Sequence, residues 1–283
     1  MTSGFLDPAV APAPASSSGG APLGPVTGAE RAAADGESAN GFETRAALPA
    51  SVHATRLSVV IPVYNEVSTI GEVIRRVLAT GFDVEVIVVD DGSTDGTSEY
   101  LKRIKHPRVC SLRQAVNRGK GAALRLGFAA VSSPFVVVQD ADLEYDPRDY
   151  AALLEPLLDG RADIVFGSRF LGGPHRVLFF WHFVGNRFLT LLCDMLSNLN
   201  LSDMETGMKA FRRDKLARLS LCANRFTFEP EVTIKAARAG WRVYEVPISY
   251  TGRTYAEGKK IGWHDGLAAI VSMLYHRLFE RIY

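Results

Sequence analysis

The sequence predicts an α/β fold in which helices flank a mostly parallel sheet. Three observations carry that expectation. From Arg56 onward, short apolar runs alternate with helical stretches, as in successive β–α units. The runs at 57–63, 84–90 and 135–139 each lead directly into acidic or amide residues. In an open parallel sheet the carboxyl ends of the strands share one edge, and ligands bind there. Hydrophobic residues make up 47% of the 283, enough to bury a large core.

In order, the strand at 57–63 precedes a helix over 68–79, and the strand at 84–90 precedes one over 94–104. A short strand at 109–112 leads to a helix over 120–131. The strand at 135–139 is followed by a helix that begins after Pro147 and ends near Gly160, then by a strand at 164–167. The second half is less regular. Helical apolar spacing covers 178–198, and a strand at 207–211 turns back into the sheet. A helix over 230–239 stops at Gly240, and an extended segment covers 241–250. A closing amphipathic helix is expected over 261–283, with Leu267, Ile270, Val271, Leu274 and Leu278 on one face. Residues 1–55 are rich in Ala, Pro, Gly and Ser and are expected to form a disordered tail, leaving 56–283 as the folded domain.

The net charge of +1 favours no nucleic-acid partner, so phosphate recognition must come from local basic groups. Cys110, Cys193 and Cys222 are odd in number and far apart, which suits a reducing cytosol better than a disulfide framework. No basic, apolar secretory leader is visible. The most apolar long stretch, 177–196, carries His182, Asn186, Arg187 and Asp194. It falls short of the roughly 20 uninterrupted apolar residues that span a bilayer. A cytoplasmic chain, at most peripheral at the membrane face, is expected.

Asp140-Ala-Asp142 is the most informative pair. It stands where an apolar strand opens into a loop, so its two carboxylates can converge on a hard divalent cation, Mg2+ or Mn2+. Glu144 is a candidate third ligand. Gly119 and Gly121 flank Lys120 at the start of a helix, an arrangement that suits either a bound phosphate or an ordinary turn with a solvated lysine. Ser93-Thr-Asp95 reads first as a helix cap, and Gln139 as a support for its strand end.

Pro62-Val-Tyr-Asn-Glu66, Asp90-Asp91-Gly-Ser-Thr-Asp95, Asn117-Arg-Gly-Lys-Gly121 and Gln139-Asp-Ala-Asp142 occur in that order. Together they resemble the family 2 glycosyltransferases of GT-A fold. Gly167-Ser-Arg-Phe170, the segment from Asp203 to Phe211, and Arg253-Thr-Tyr-Ala-Glu-Gly-Lys-Lys260 extend the likeness to dolichyl- and polyprenyl-phosphate mannose or glucose synthases over about 57–265. The resemblance implies a Rossmann-like GT-A sheet and inverting transfer of a hexose from UDP-glucose or GDP-mannose. It places Pro62, Tyr64 and Glu66 at the nucleoside and Asp91 at the base or ribose. It also places Asp203 on the acceptor side, with Glu205 behind it.

A lipid phosphate acceptor is already an anion, so it needs positioning cations more than a strong base. Arg169, Arg253 and Lys259 are the candidates. A saccharide or protein hydroxyl acceptor would instead need a carboxylate base, and Asp203 keeps that alternative open. Arg187 reads as a snorkelling side chain and His182 as packed or interfacial. The aromatic stretch 177–184 suits either a membrane surface or a core helix. A sugar-phosphate nucleotidyltransferase would open with a glycine-rich Gly-Thr-Arg segment that this chain lacks. A non-catalytic binding module would not need both Asp140 and Asp142.

Overall fold

The computed structural model describes residues 55–177, 179–254 and 263–280. The tail expected over 1–55 and Lys259 therefore lie outside the described residues, save for Thr55. The described strands are β1 (Arg56–Val63), β2 (Asp83–Asp90), β3 (Val109–Arg113), β4 (Phe135–Val138), β5 (Ile164–Ser168), β6 (Lys209–Arg212) and β7 (Val243–Pro247). The helices are α1 (Ile70–Leu78), α2 (Thr97–Arg103), α3 (Lys120–Ala130), α4 (Tyr150–Leu158), α5 (Phe180–Ser197), α6 (Arg213–Leu216), α7 (Phe228–Arg238) and α8 (Trp263–Leu278).

The sheet order is β3-β2-β1-β4-β6-β5-β7. All neighbours are parallel except β6, which runs antiparallel between β4 and β5. The strand expected to turn back is thus an internal one. Its reversal matters for the site, because the loop before β6 arrives at the same edge as the loops after β4 and β5.

β1 is buried along nearly its whole length, as a central parallel strand covered on both faces must be. Its side chains alternate between two cores. Leu57, Val59, Ile61 and Val63 pack with α1 and α4, through Ile70, Val73, Leu153 and Leu154. Val60 faces the other way, into a second core that also holds Leu124 of α3, Val232 of α7 and Met273 of α8.

The closing helix is present, but of its expected apolar stripe only Ile270 packs against the core. Leu267, Val271, Leu274 and Leu278 are exposed, while Ala269, Ser272, Met273 and His276 form the buried side. The helix carries apolar residues on both sides, so its periodicity alone could not say which side would be covered.

Asp163, just before β5, ties β7 into the sheet by accepting bonds from the Arg242 backbone N–H (3.0 Å), Nε (3.1 Å) and Nη2 (2.9 Å). Arg242 chiefly, helped by Lys215, holds this carboxyl down to about 2. A depressed folded-state pKa stabilises above the unfolded carboxylate range, and that contribution is lost as pH falls toward 2. Asp163→Asn should therefore lower the urea midpoint at pH 6, and the gap from the native chain should narrow as pH falls from about 4 to about 2. A gap unchanged at acid pH would show that the ion pair contributes nothing.

Candidate active site

The carboxyl ends of β1, β2 and β4 bring Glu66, Asp91, Asp140 and Asp142 to one edge, as expected. At the first of these ends the chain turns sharply. Asn65 has φ 52°, its side chain accepts the Thr94 N–H at 2.8 Å, and its own N–H donates to Ser93 Oγ at 3.0 Å. Ser93 and Thr94 are thus structural. Pro62 is buried within β1, opposite Val89, and Tyr64 is exposed at the strand end.

Asp91 is buried and its carboxylate accepts the backbone N–H groups of Arg118 (2.8 Å) and Gly119 (2.7 Å). It therefore fixes the glycine-rich loop. Gly119 has φ 98°, and a Cβ there would meet the 224–225 backbone, so the loop needs glycine twice over. That loop aims Lys120 inward. Its ammonium lies 2.8 Å from Asp140 and 2.9 Å from Glu229 at the start of α7. Burial opposes the charge, but Asp140 and Glu229 outweigh it and hold the lysine well above its usual range.

Asp142 is the perturbed member of the pair. Burial first, then the charges of Asp140 and Glu144, push its carboxyl up to about 7. Arg253 partly offsets this from 3.3 Å and also donates to Glu66 at 3.0 and 3.2 Å. Glu144 accepts from the Tyr250 hydroxyl and the Arg253 backbone N–H, each at 2.8 Å. The three carboxylates expected at a metal thus have different surroundings: Asp140 faces Lys120, Asp142 faces Arg253, and Glu144 is held by the 250–253 segment. Two adjoining carboxylates, one strained by negative neighbours, form an oxygen donor set that fits Mg2+ or Mn2+. Asp140 and Asp142 would hold it.

Arg169 follows β5 and Asp203 precedes β6, so the reversed strand brings the two together. The guanidinium grips the carboxylate through Nε (2.6 Å) and Nη2 (2.7 Å), and the Arg169 backbone N–H adds a third bond at 3.1 Å. Asp203 is fully buried. Arg169 also lies over the Tyr250 ring, 5.2 Å from its centroid. Glu205, two residues after Asp203, is half-buried. Burial, then the charge of Glu229, pushes it up to about 8, and one of its carboxyl oxygens lacks a hydrogen-bond partner. Arg187 donates to the Ser202 carbonyl at 3.0 Å, beside Asp203.

Gln139 supports its strand end, donating to the Asp140 and Tyr145 carbonyls and accepting from Tyr150. Sequence reasoning missed three further residues. Glu229 is the second anchor of Lys120; a buried acid among Phe228, Pro230 and Val232 was its only signal. Tyr145 accepts the Gly207 N–H at 2.9 Å. At Gly207 any Cβ would overlap the Asp140 carboxylate, a requirement that only the folded chain shows.

Residues 58–220, more than half the chain, match the family described as Glycosyl transferase family 2. The chain is 32% identical over 225 residues to a polyprenol monophosphomannose synthase of Mycolicibacterium smegmatis, covering 76% of this chain and 84% of that protein. It is 30% identical to an undecaprenyl-phosphate mannosyltransferase of Micrococcus luteus, covering 76% and 91%. Among solved structures, glucosyl-3-phosphoglycerate synthase from Mycobacterium tuberculosis, bound to Mn2+, UDP and phosphoglyceric acid, superposes with a TM-score of 0.64. It is 24% identical, with 82% of each chain covered. The acid-tipped parallel strands, the loop held by Asp91 and these likenesses lead to one conclusion: the chain belongs to glycosyl transferase family 2 and is a glycosyltransferase.

Proposed function

We propose that this enzyme transfers a hexose from UDP-glucose or GDP-mannose to a polyprenyl or dolichyl phosphate, with inversion, using Mg2+ or Mn2+ at Asp140 and Asp142. Pro62, Tyr64 and Glu66 border the nucleoside. Bound there, the cation would neutralise the diphosphate as it leaves. Lys120 holds Asp140 in place, and Arg253 links the acidic cluster to the acceptor-side segment that continues toward Lys259.

The observation that carries the phosphate acceptor is the state of Asp203. A hydroxyl acceptor needs a carboxylate that is available to take its proton. Asp203 is fully buried and binds Arg169 through both oxygens. A phosphate acceptor needs no such base. It needs cations; Arg169 and Arg253 stand at the candidate site, and Lys259 follows Arg253 in the sequence. The likeness to a polyprenol monophosphomannose synthase and an undecaprenyl-phosphate mannosyltransferase supports this reading.

A lipid acceptor lies in a membrane. Among the described residues no helix is long and apolar enough to cross one. Phe180, Trp181, Phe188, Leu191 and Met195 of α5 and Leu267, Val271 and Leu278 of α8 are nevertheless exposed. Their place is the cytoplasmic membrane face, where apolar side chains rest in the headgroup layer.

The test supplies UDP-glucose or GDP-mannose, with Mg2+ or Mn2+, to vesicles carrying a short polyprenyl phosphate. Lipid-linked hexose is expected from one donor, absent with chelator and absent with Asp142→Ala. Nucleotide release without lipid product would sink the lipid acceptor. The chain should also float with the vesicles, and a chain left behind in the gradient would remove the membrane face from the reading.

A further inference from the structure

Away from the candidate active site, Cys222, Glu231, His276 and Glu280 bring a thiol sulfur, an imidazole nitrogen and two carboxylates within 4.8 Å of one another. Cys222 lies between α6 and α7, Glu231 on α7, His276 on α8 and Glu280 just beyond it. His276 Nε2 is 3.9 Å from Glu231, and Cys222 Sγ is 3.9 Å from Glu280. Glu280 also contacts His276 Nδ1. A carboxylate on one ring nitrogen fixes the tautomer and leaves the other nitrogen as a ligand, the usual support for a metal-bound histidine.

Lys235 neutralises part of the cluster. Its ammonium donates to the Ser220 carbonyl, to Glu231 and to Glu280, which occupies all three of its N–H groups. It therefore has no donor left for the imidazole or the thiol. Two carboxylates face one ammonium, which leaves one negative charge among these three side chains. A divalent cation together with a Cys222 thiolate brings the sum to zero. On binding, a metal–sulfur bond replaces the S–H bond and the thiol proton passes to solvent.

Access is already built. Cys222 and His276 line an open surface hollow of about 460 Å3 bordered by Leu267, Val271 and Tyr275. Ser272, one turn before His276, lines the same hollow, is 9% exposed, and its hydroxyl has no hydrogen-bond partner. An unpartnered buried hydroxyl beside a Cys/His/Glu cluster suits a metal-bound water.

We propose that Cys222, Glu231, His276 and Glu280 form a second divalent-metal site, of the zinc class, that clamps α7 and the segment before it to the end of α8. Thiolate and imidazole ligands select Zn2+ over Mg2+ or Mn2+, which prefer all-oxygen sites. The site is independent of the donor and acceptor assignments above.

The full chain, stripped with chelator, is titrated with Co2+ as a spectroscopic probe. One equivalent should produce a thiolate-to-cobalt charge-transfer band that Zn2+ discharges and excess Mg2+ does not. The band should persist in Asp142→Ala and vanish in Cys222→Ser, an exposed position whose change leaves the core intact. His276→Gln should weaken Co2+ binding by at least about tenfold. Zn2+ should raise the melting temperature of the native chain but not of Cys222→Ser. No band, or a band that survives Cys222→Ser, would overturn the site.

Discussion

Asp142→Asn should reduce sugar transfer by roughly a thousandfold or more while making the metal-free protein more stable at pH 8. The loss follows from removing a carboxylate that would bind the cation at the leaving diphosphate. Such electrostatic help amounts to several kcal/mol, and about 4 kcal/mol corresponds to roughly a thousandfold in rate. The stability gain follows from the raised pKa. Burial and the charges of Asp140 and Glu144 hold the Asp142 carboxyl at about 7. For a carboxyl raised above its unfolded value, ionisation opposes folding. The penalty grows as pH rises from about 4 and is complete above about 7. An amide carries no such penalty, so melting temperatures of mutant and native chains should diverge between pH 5 and pH 8 without metal. Added Mn2+ should close the gap by stabilising only the native chain. An active Asp142→Asn enzyme, or one that melts lower at pH 8, would refute this account.

Asp203→Ala should destabilise the fold by about 3–5 kcal/mol, because it strands a buried guanidinium. Arg169 has little exposure of its own, with 14% of its side chain accessible, and Asp203 supplies two of its short bonds. Arg169→Met alone should cost similarly, by stranding the carboxylate. The double change Arg169→Met with Asp203→Leu should cost much less than the sum, since no unpaired charge remains. Denaturant titration of the four proteins reads the coupling directly. Additive losses would show that the pair is not coupled. Activity separates the roles further: a double variant that folds but transfers no sugar would show that the pair serves the reaction as well as the fold.

The strand ends were legible in the sequence because apolar runs that stop at acids leave a local signature. Glu66, Asp91, Asp140 and Asp142 follow directly from β1, β2 and β4. Contacts between distant segments leave no such trace. Lys120 was expected at a phosphate, and the structure shows why it points inward: Asp140 and Glu229 hold it from strands and helices far along the chain. Arg169 and Asp203 were each picked out, yet nothing in their spacing says that they bind each other. Gly207 reads in the sequence only as the start of a strand, and its closeness to Asp140 appears only in the folded chain. On α8 the apolar period was real, but periodicity defines a face without naming what covers it.

The reversed position of β6 has a consequence for how the chain is made. β5 sits between β6 and β7. Both of its partners are therefore synthesised after it. β4 is in a similar position on one side, since its second neighbour is also β6. As the polypeptide leaves the ribosome, β1 to β4 can assemble in order, but β5 emerges with no edge to join. The half of the sheet that carries Arg169 and Asp203 closes only when residues 209–212 arrive and are inserted between strands already made. Until then an apolar strand and an open sheet edge stay exposed together, the combination that folding helpers in the cell recognise.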